Sequence, residues 1–376
     1  MPLTLHVVFH GSGPAFTRMP GCPCIRCAEP IMPEKPIPQD YADLIAWNRQ
    51  AHTSCSLVIE RDGIAIDHTL VDIGMGVMHN LAALSTPARG QPIHRLLLTH
   101  GHLDHVGGLN GLLHGLEFAR MAHDFAEDEQ PWPLPVYATD ETWRRCVGAN
   151  AIEPSQPGYF YQDEAKMTRV DITDAARSLA ALELHPALLV TPIPAEHLYD
   201  SVNYLFQFWP SGQQGDGEPI RVAICWDLMA YPAGRSTDTW SGIALDPYTG
   251  PLAELMVGVD LLAIEMTTWR TSGFGHIAFE GGRIKGSGAD TGYGVRDLIA
   301  AWQPRTTRIV HYFGWDDRMQ PDGTSTSSTA LATNTDPARG PVTDAVMRRI
   351  LRAAFDDTLE IDLAQPGDVI TSTGEQ

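Results

Sequence analysis

Apolar residues fall along this chain in short blocks set off by polar and glycine-rich stretches. Runs at residues 3–9, 56–59, 69–72, 202–209, 220–225, 261–265 and 308–313 have the length and apolar character of strands. Apolar positions at helical spacing mark residues 77–84, 140–147, 294–302 and 343–355 as helices. Strands and helices mix in order, which predicts an α/β protein of layered sheets with helices on the outside. From His123 to Pro135 the chain is acidic and holds Trp132 and three prolines, so it reads as an exposed loop, suited to be a lid, ahead of a strand at Val136 and Tyr137. Residues 321–341, rich in Thr, Ser, Asp, Gly and Pro, read as an irregular excursion. No internal repeat is apparent.

At 376 residues and 43% hydrophobic content the chain can bury a large core, and a single domain over residues 1–376 is expected. A net charge of -20 argues against nucleic acid as a partner, because such binding draws on Lys and Arg contacts to phosphates. It leaves room for a small-molecule substrate, since bound cations can dominate a local field. No apolar stretch reaches the roughly 18 residues of a membrane span, so no membrane partner is expected. Residues 1–9 lack a basic leader and read as a strand, which points to the cytoplasm. Whether the chain forms a homo-oligomer stays open. Of six cysteines, three crowd into Cys22-Pro23-Cys24-Ile25-Arg26-Cys27, a spacing that suits a metal better than disulfides in a reducing compartment. Cys146 and Cys225 lie in apolar surroundings and read as core.

The densest chemistry is Thr99-His100-Gly101-His102-Leu103-Asp104-His105, directly after Leu96-Leu97-Leu98. A strand at 93–98 delivers the chain to a loop where His100 and His102 can face one metal ion, and Asp104 and His105 a second. Imidazole and carboxylate suit zinc first, with manganese or iron as alternatives, and two ions about 3.5–4 Å apart can share and activate one water. A polar loop with chance histidines is the bland alternative. Four more ligand-type residues stand at strand ends: Asp72, His197, Asp227 and His311.

This series resembles the metallo-β-lactamase-fold superfamily, in motif and in order across most of the chain. The resemblance implies an αββα sandwich of two mixed sheets, with His100, His102 and His197 on one metal, Asp104, His105 and His311 on the other, and Asp227 bridging both. Asp72 is implied to orient ligands by hydrogen bonding. His10-Gly11-Ser12-Gly13 followed by the cysteine cluster is most similar to the branch of the cyclic-phosphate phosphodiesterase of the carbon-phosphorus lyase pathway. There, Cys22, Cys24 and Cys27 would bind a structural zinc and pin a loop at residues 20–28. The branch's fourth ligand lies three residues past the last active-site histidine, where this chain has Gly314, so Asp316, Cys55 or a distant histidine would have to complete that site.

In the same branch a histidine matching His276, within Gly275-His276-Ile277-Ala278-Phe279-Glu280, protonates the leaving oxygen. Between it and the helix at 294–302, a glycine-rich stretch carries Arg283 and Lys285, which could hold a phosphate or carboxylate or be solvated loop. His6, His68, His79 and His185 read as surface or core residues, and His10 as a pocket candidate. The expectation is therefore a binuclear hydrolase of a small phosphodiester or cyclic phosphate, using a metal-bridging hydroxide with Asp104 and His276 as catalytic residues. The alternatives are a lactone or amide hydrolase, an iron-dependent oxidoreductase resembling the pyrroloquinoline-quinone biosynthesis protein, and a non-enzymatic metal-stabilised scaffold.

Overall fold

The computed structural model describes residues 2–13, 51–123, 131–146, 166–197, 200–228, 231–232, 237–267, 269, 276–282, 292–312, 344–355 and 358–373. The cysteine loop at 20–28, the middle of the expected lid at 124–130, Arg283, Lys285, Gly314, Asp316 and the excursion at 321–341 lie outside these residues.

The first half supplies six strands of one sheet. Strands β1 (Thr4–Gly11), β2 (Ser54–Arg61) and β3 (Ile64–Val71) precede helix α1 (Val77–Ala83) and strand β4 (Arg95–Leu97). The one-turn helix α2 (Leu103–Val106) and α3 (Leu109–Ala122) lead to β5 (Leu134–Ala138), α4 (Asp140–Cys146) and β6 (Met167–Asp171). After α5 (Thr173–Ser178), the second sheet begins with β7 (Leu182–His185), β8 (Leu188–Pro194), β9 (Val202–Phe208) and β10 (Ile220–Cys225). Short strands β11 (Tyr231–Pro232), β12 (Thr237–Asp238) and β13 (Ala244–Leu245) precede α6 (Gly250–Met256) and β14 (Leu261–Glu265). Then follow β15 (Ile277–Ala278), β16 (Gly281–Gly282), β17 (Gly292–Tyr293), α7 (Val295–Trp302), β18 (Thr306–Val310), α8 (Asp344–Ala354), β19 (Glu360–Leu363) and β20 (Val369–Thr373).

Two seven-stranded mixed sheets result, ordered β20-β1-β2-β3-β4-β5-β6 and β19-β18-β14-β10-β9-β8-β7. Alternation along each strand sorts side chains between three cores. Leu5, Val7 and Phe9 of β1 meet Tyr204, Phe206 and Phe208 of β9 between the sheets. Val8 and Val58 face out, with Val77 of α1 and Leu112 of α3. Leu262 and Ile264 of β14 face out the other way, against Leu298 and Trp302 of α7. The architecture is an αββα sandwich, as expected from the sequence.

The long apolar runs match observed strands to within a few residues, with β10 and β14 at the expected bounds. Strand β8, Leu-Leu-Val-Thr-Pro-Ile-Pro, is absent from the sequence reading because prolines argue against an inner strand. Its pairing explains the exception. β7 pairs with β8 only from Leu188 to Val190, so among the described residues Pro192 and Pro194 fall where that edge of β8 has no partner strand and a missing N–H costs no ladder bond. His10 leaves the pocket candidates: its Nε2 lies 2.7 Å from the Ser56 hydroxyl, which lies 2.6 Å from Nε2 of His68, a buried polar chain on the α1 side of the first sheet. Asn80 of α1 donates to the His10 carbonyl at 2.6 Å.

Candidate metal centre

The site collects at the ends of strands from both sheets. Strand β4 stops at Leu97, and the next residues are held by hydrogen bonds from both halves of the sandwich. The Thr99 amide donates to Asp72 Oδ1 at 2.8 Å, the Val202 amide to the Thr99 carbonyl at 2.9 Å, and the Tyr204 hydroxyl to the Leu98 carbonyl at 2.7 Å. His100 and His102 follow on this pinned loop, while Asp104 and His105 project from α2. Asp72, Asp227 and His311 each sit just past a strand with positive φ, at 56°, 58° and 54°, three of seven such non-glycine residues among those described. This left-handed turn costs about 1–3 kcal/mol per residue, and Asp and His accept it more readily than most.

Two groups of ligand-type atoms form, each with its atoms within 4.8 Å of one another: His100, His102, His197 and Asp227, and Asp104, His105, Asp227 and His311. These are the seven residues picked out in the sequence. In the first, His102 Nδ1 lies 2.9 Å from His100 Nε2 and 3.3 Å from His197 Nε2. Asp227 faces both groups with different oxygens. Its Oδ1 is 3.8 Å from His100 Nε2 and 3.5 Å from His197 Nε2, and its Oδ2 is 2.7 Å from His105 Nε2 and 3.7 Å from His311 Nε2.

The donor set fits cations. His105 Nε2 and Asp227 Oδ2 are fully buried and close, yet neither makes a hydrogen bond of proper geometry. A buried imidazole nitrogen and a buried carboxylate oxygen that converge with poor hydrogen-bond geometry are what a shared ion would satisfy. Burial, reinforced by neighbouring imidazoles, drives the pKa of His100 well below its ordinary value and that of His197 down to about 3, which leaves their lone pairs free to coordinate. Burial opposes charge on His105 and His311 too, but Asp227 and its fellow carboxylates outweigh it, raising His105 well above normal and His311 to about 10. Around these imidazoles the carboxylates draw in positive charge, a demand that a divalent ion meets in place of protons.

Asp72, expected to orient ligands by hydrogen bonding, lies against His105. Fully buried, its Oδ2 accepts from Thr99 Oγ1 at 2.7 Å and Trp226 Nε1 at 2.8 Å and lies 2.7 Å from His105 Nδ1. The hydrogen bond turns Nε2 of His105 toward the second group. His276 lies beside both groups, its ring 5.1 Å from that of His197 and 5.5 Å from that of His311.

Glu265 is the residue that sequence reasoning missed. It ends β14, fully buried, with Oε1 2.7 Å from His276 Nδ1 and 3.1 Å from His311 Nδ1, while Oε2 accepts from the Leu228 amide at 2.6 Å. Burial opposes the charge on His276, but Glu265 and Asp227 together raise its pKa above normal. The available signal was a carboxylate closing the apolar strand Leu-Leu-Ala-Ile-Glu, the pattern that singled out Asp72. Asp227, Glu265, His276 and His311 also lie within 4.8 Å of one another, but His311 turns Nδ1 to Glu265 and Nε2 to Asp104, so with Nε2 in the second group its other nitrogen carries the proton given to Glu265.

Residues 51–154 match the model of the Metallo-beta-lactamase superfamily. A ribonuclease Z from Bradyrhizobium sp. (strain ORS 278) is 40% identical over 67 residues, 18% of this chain and 22% of that protein, so the match spans about a fifth of the relative's length. A crystal structure of a diphosphatase from the PhnP family aligns over 98% of both chains at a TM-score of 0.51 and 17% identity. The metallo-beta-lactamase fold protein YhfI from Bacillus subtilis aligns over 98% of this chain and 100% of its own, at a TM-score of 0.51 and 13% identity. At such identities the likeness is one of fold. The matched segment, which holds the histidine motif, and the sandwich around it give this chain the metallo-β-lactamase fold, a fold that implies a divalent metal ion.

Proposed function

We propose that this chain is a binuclear metal-dependent hydrolase that cleaves a small phosphodiester or cyclic phosphate. The observation that carries the reading is Asp227, which offers one oxygen to each of two ligand groups. His100, His102 and His197 would hold one ion and Asp104, His105 and His311 the other; imidazole and carboxylate donors suit zinc, which is proposed, as well as manganese or iron. When bound, the ions supply Lewis acidity toward the scissile group and lower the pKa of water.

The chain's own groups supply the rest. His276 keeps Nδ1 against Glu265, so Nε2 is the nitrogen proposed to give a proton to a departing alkoxide, and the raised pKa favours the protonated ring that this role needs. Glu265 fixes the tautomer and ring plane of His276 and His311 together. The net charge of -20 favours a small substrate over RNA, although the ribonuclease Z match speaks for phosphoryl chemistry as such. Arg283 and Lys285 are proposed as phosphate contacts, and Cys22, Cys24 and Cys27 as thiolates of a structural zinc site. The whole chain is proposed to be one domain.

The test is an assay of zinc-loaded protein on an aryl phosphodiester and on an acyl-lactone. Phosphodiester turnover that falls sharply in His276→Gln supports the reading. Lactone turnover alone overturns it in favour of carbon chemistry, and oxygen consumption with bound iron and no hydrolysis would favour an oxidoreductase.

A further inference from the structure

The two ligand groups are chemically unequal, and we infer that the Asp104, His105, His311 position binds its ion more tightly than the His100, His102, His197 position. This rests on the ligand assignment proposed above. The first difference is charge. Asp227 is shared, but among the described residues only the Asp104 position has a carboxylate of its own, whereas the other is completed by three neutral imidazoles.

The second difference lies behind the ligands. His105 Nδ1 is 2.7 Å from Asp72 and His311 Nδ1 is 3.1 Å from Glu265, both carboxylates fully buried. A carboxylate accepting the far N–H makes an imidazole a stronger donor to its metal. Behind His100 the link to a carboxylate is a relay: its Nδ1 lies 3.1 Å from Thr99 Oγ1, whose hydroxyl donates to Asp72. A neutral hydroxyl transmits less of that charge.

Trp226 tunes this difference. It reaches from the end of β10, in the second sheet, to Asp72, at the end of β3 in the first, and its indole N–H adds a third polar partner to Asp72 Oδ2. The bond holds the carboxylate in line with His105 across the two halves of the sandwich. Trp226 thus acts as a positioning residue for the tighter position.

The experiment titrates metal-free full-length protein with zinc against a chromophoric chelator, and repeats the titration with cobalt to read ligand geometry from its visible bands. Two steps separated by about tenfold or more are expected. His197→Ala should remove the weaker step and Asp104→Asn, which keeps the side-chain shape, the tighter one. Trp226→Phe should weaken the tighter step about tenfold and leave the weaker within about threefold. Benzothienylalanine at 226, which replaces the N–H by sulfur in an otherwise matching ring, should reproduce that effect even where Phe disturbs the fold. Equal steps, or loss of the tighter step in His197→Ala with its retention in Asp104→Asn, would overturn the inferred order. Equal weakening of both steps, or of neither, on changing Trp226 would overturn its positioning role. A wild-type protein that binds no zinc would sink the ligand assignment itself.

Discussion

The buried chain His10, Ser56, His68 makes stability fall in mild acid, and the size of the effect follows from its structure. Burial first, and the neighbouring imidazole second, lower the pKa of His10 from 6.5 to about 3; burial also lowers that of His68 to about 4. Unfolded, both return to about 6.5. Between those values the unfolded chain binds two protons that the folded chain does not, so stability is intact above the unfolded pKa and declines as pH falls below it. From pH ~7.5 to ~5.5 each histidine contributes a loss of about 1.4 kcal/mol, about 2.7 for the pair. The result does not depend on the folded values while they stay well below pH ~5.5. Other histidines titrate too, so the measurement is a difference. Urea unfolding of metal-free wild type and His10→Gln is compared at the two pH values by tryptophan fluorescence, with m required to stay constant. His10→Gln is destabilising at the higher pH because it breaks the contact with Ser56, and its deficit should shrink by about 1.4 kcal/mol at the lower one. The double variant with His68→Gln should shrink by about 2.7. A deficit independent of pH, or either imidazole titrating by NMR above pH ~5.5, would refute the reasoning.

Three further outcomes are expected. Glu265→Gln should lower kcat/KM on an aryl phosphodiester by about 10- to 100-fold, with folding unchanged by circular dichroism; activity within about twofold of wild type would remove its positioning role. Gly74→Ala would put a Cβ 1.9 Å from the Asp104 carbonyl oxygen and 2.4 Å from His52 Cβ, so the α2 turn must shift; a titration should show zinc affinity lost first at the Asp104 position, and unaltered binding would contradict this packing. Zinc at about 100 times its dissociation constant should raise unfolding free energy by about 2.7 kcal/mol, seen as a higher Tm reversed by chelator; no shift would mean that native protein does not bind it preferentially.

Much of the site was legible because its ligands end apolar strands. A motif such as Leu70-Val71-Asp72 or Ile309-Val310-His311 announces both burial and chemistry in local sequence, and the dense His100 to His105 cluster announces it again. Glu265 carries the same mark, yet a single carboxylate after a strand has no local partner to raise it above chance. His10 reads the other way: its place beside a glycine turn suggested a pocket, but strand alternation turns it to the outer face, toward Ser56 and Asn80. The prolines of β8 misled for a physical reason as well, since whether an edge is paired depends on where β7 ends.

By itself the sequence determined the strand-rich α/β class, because apolar blocks must be buried in layers, and the ligand types, because spacing within six residues is local. Which oxygen of Asp227 faces which histidine, and which carboxylate stands behind which imidazole, was decided only by the tertiary structure. Trp226 and Asp72 are 154 residues apart in the chain, and their 2.8 Å hydrogen bond exists because two independently ordered sheets bring their strand ends together.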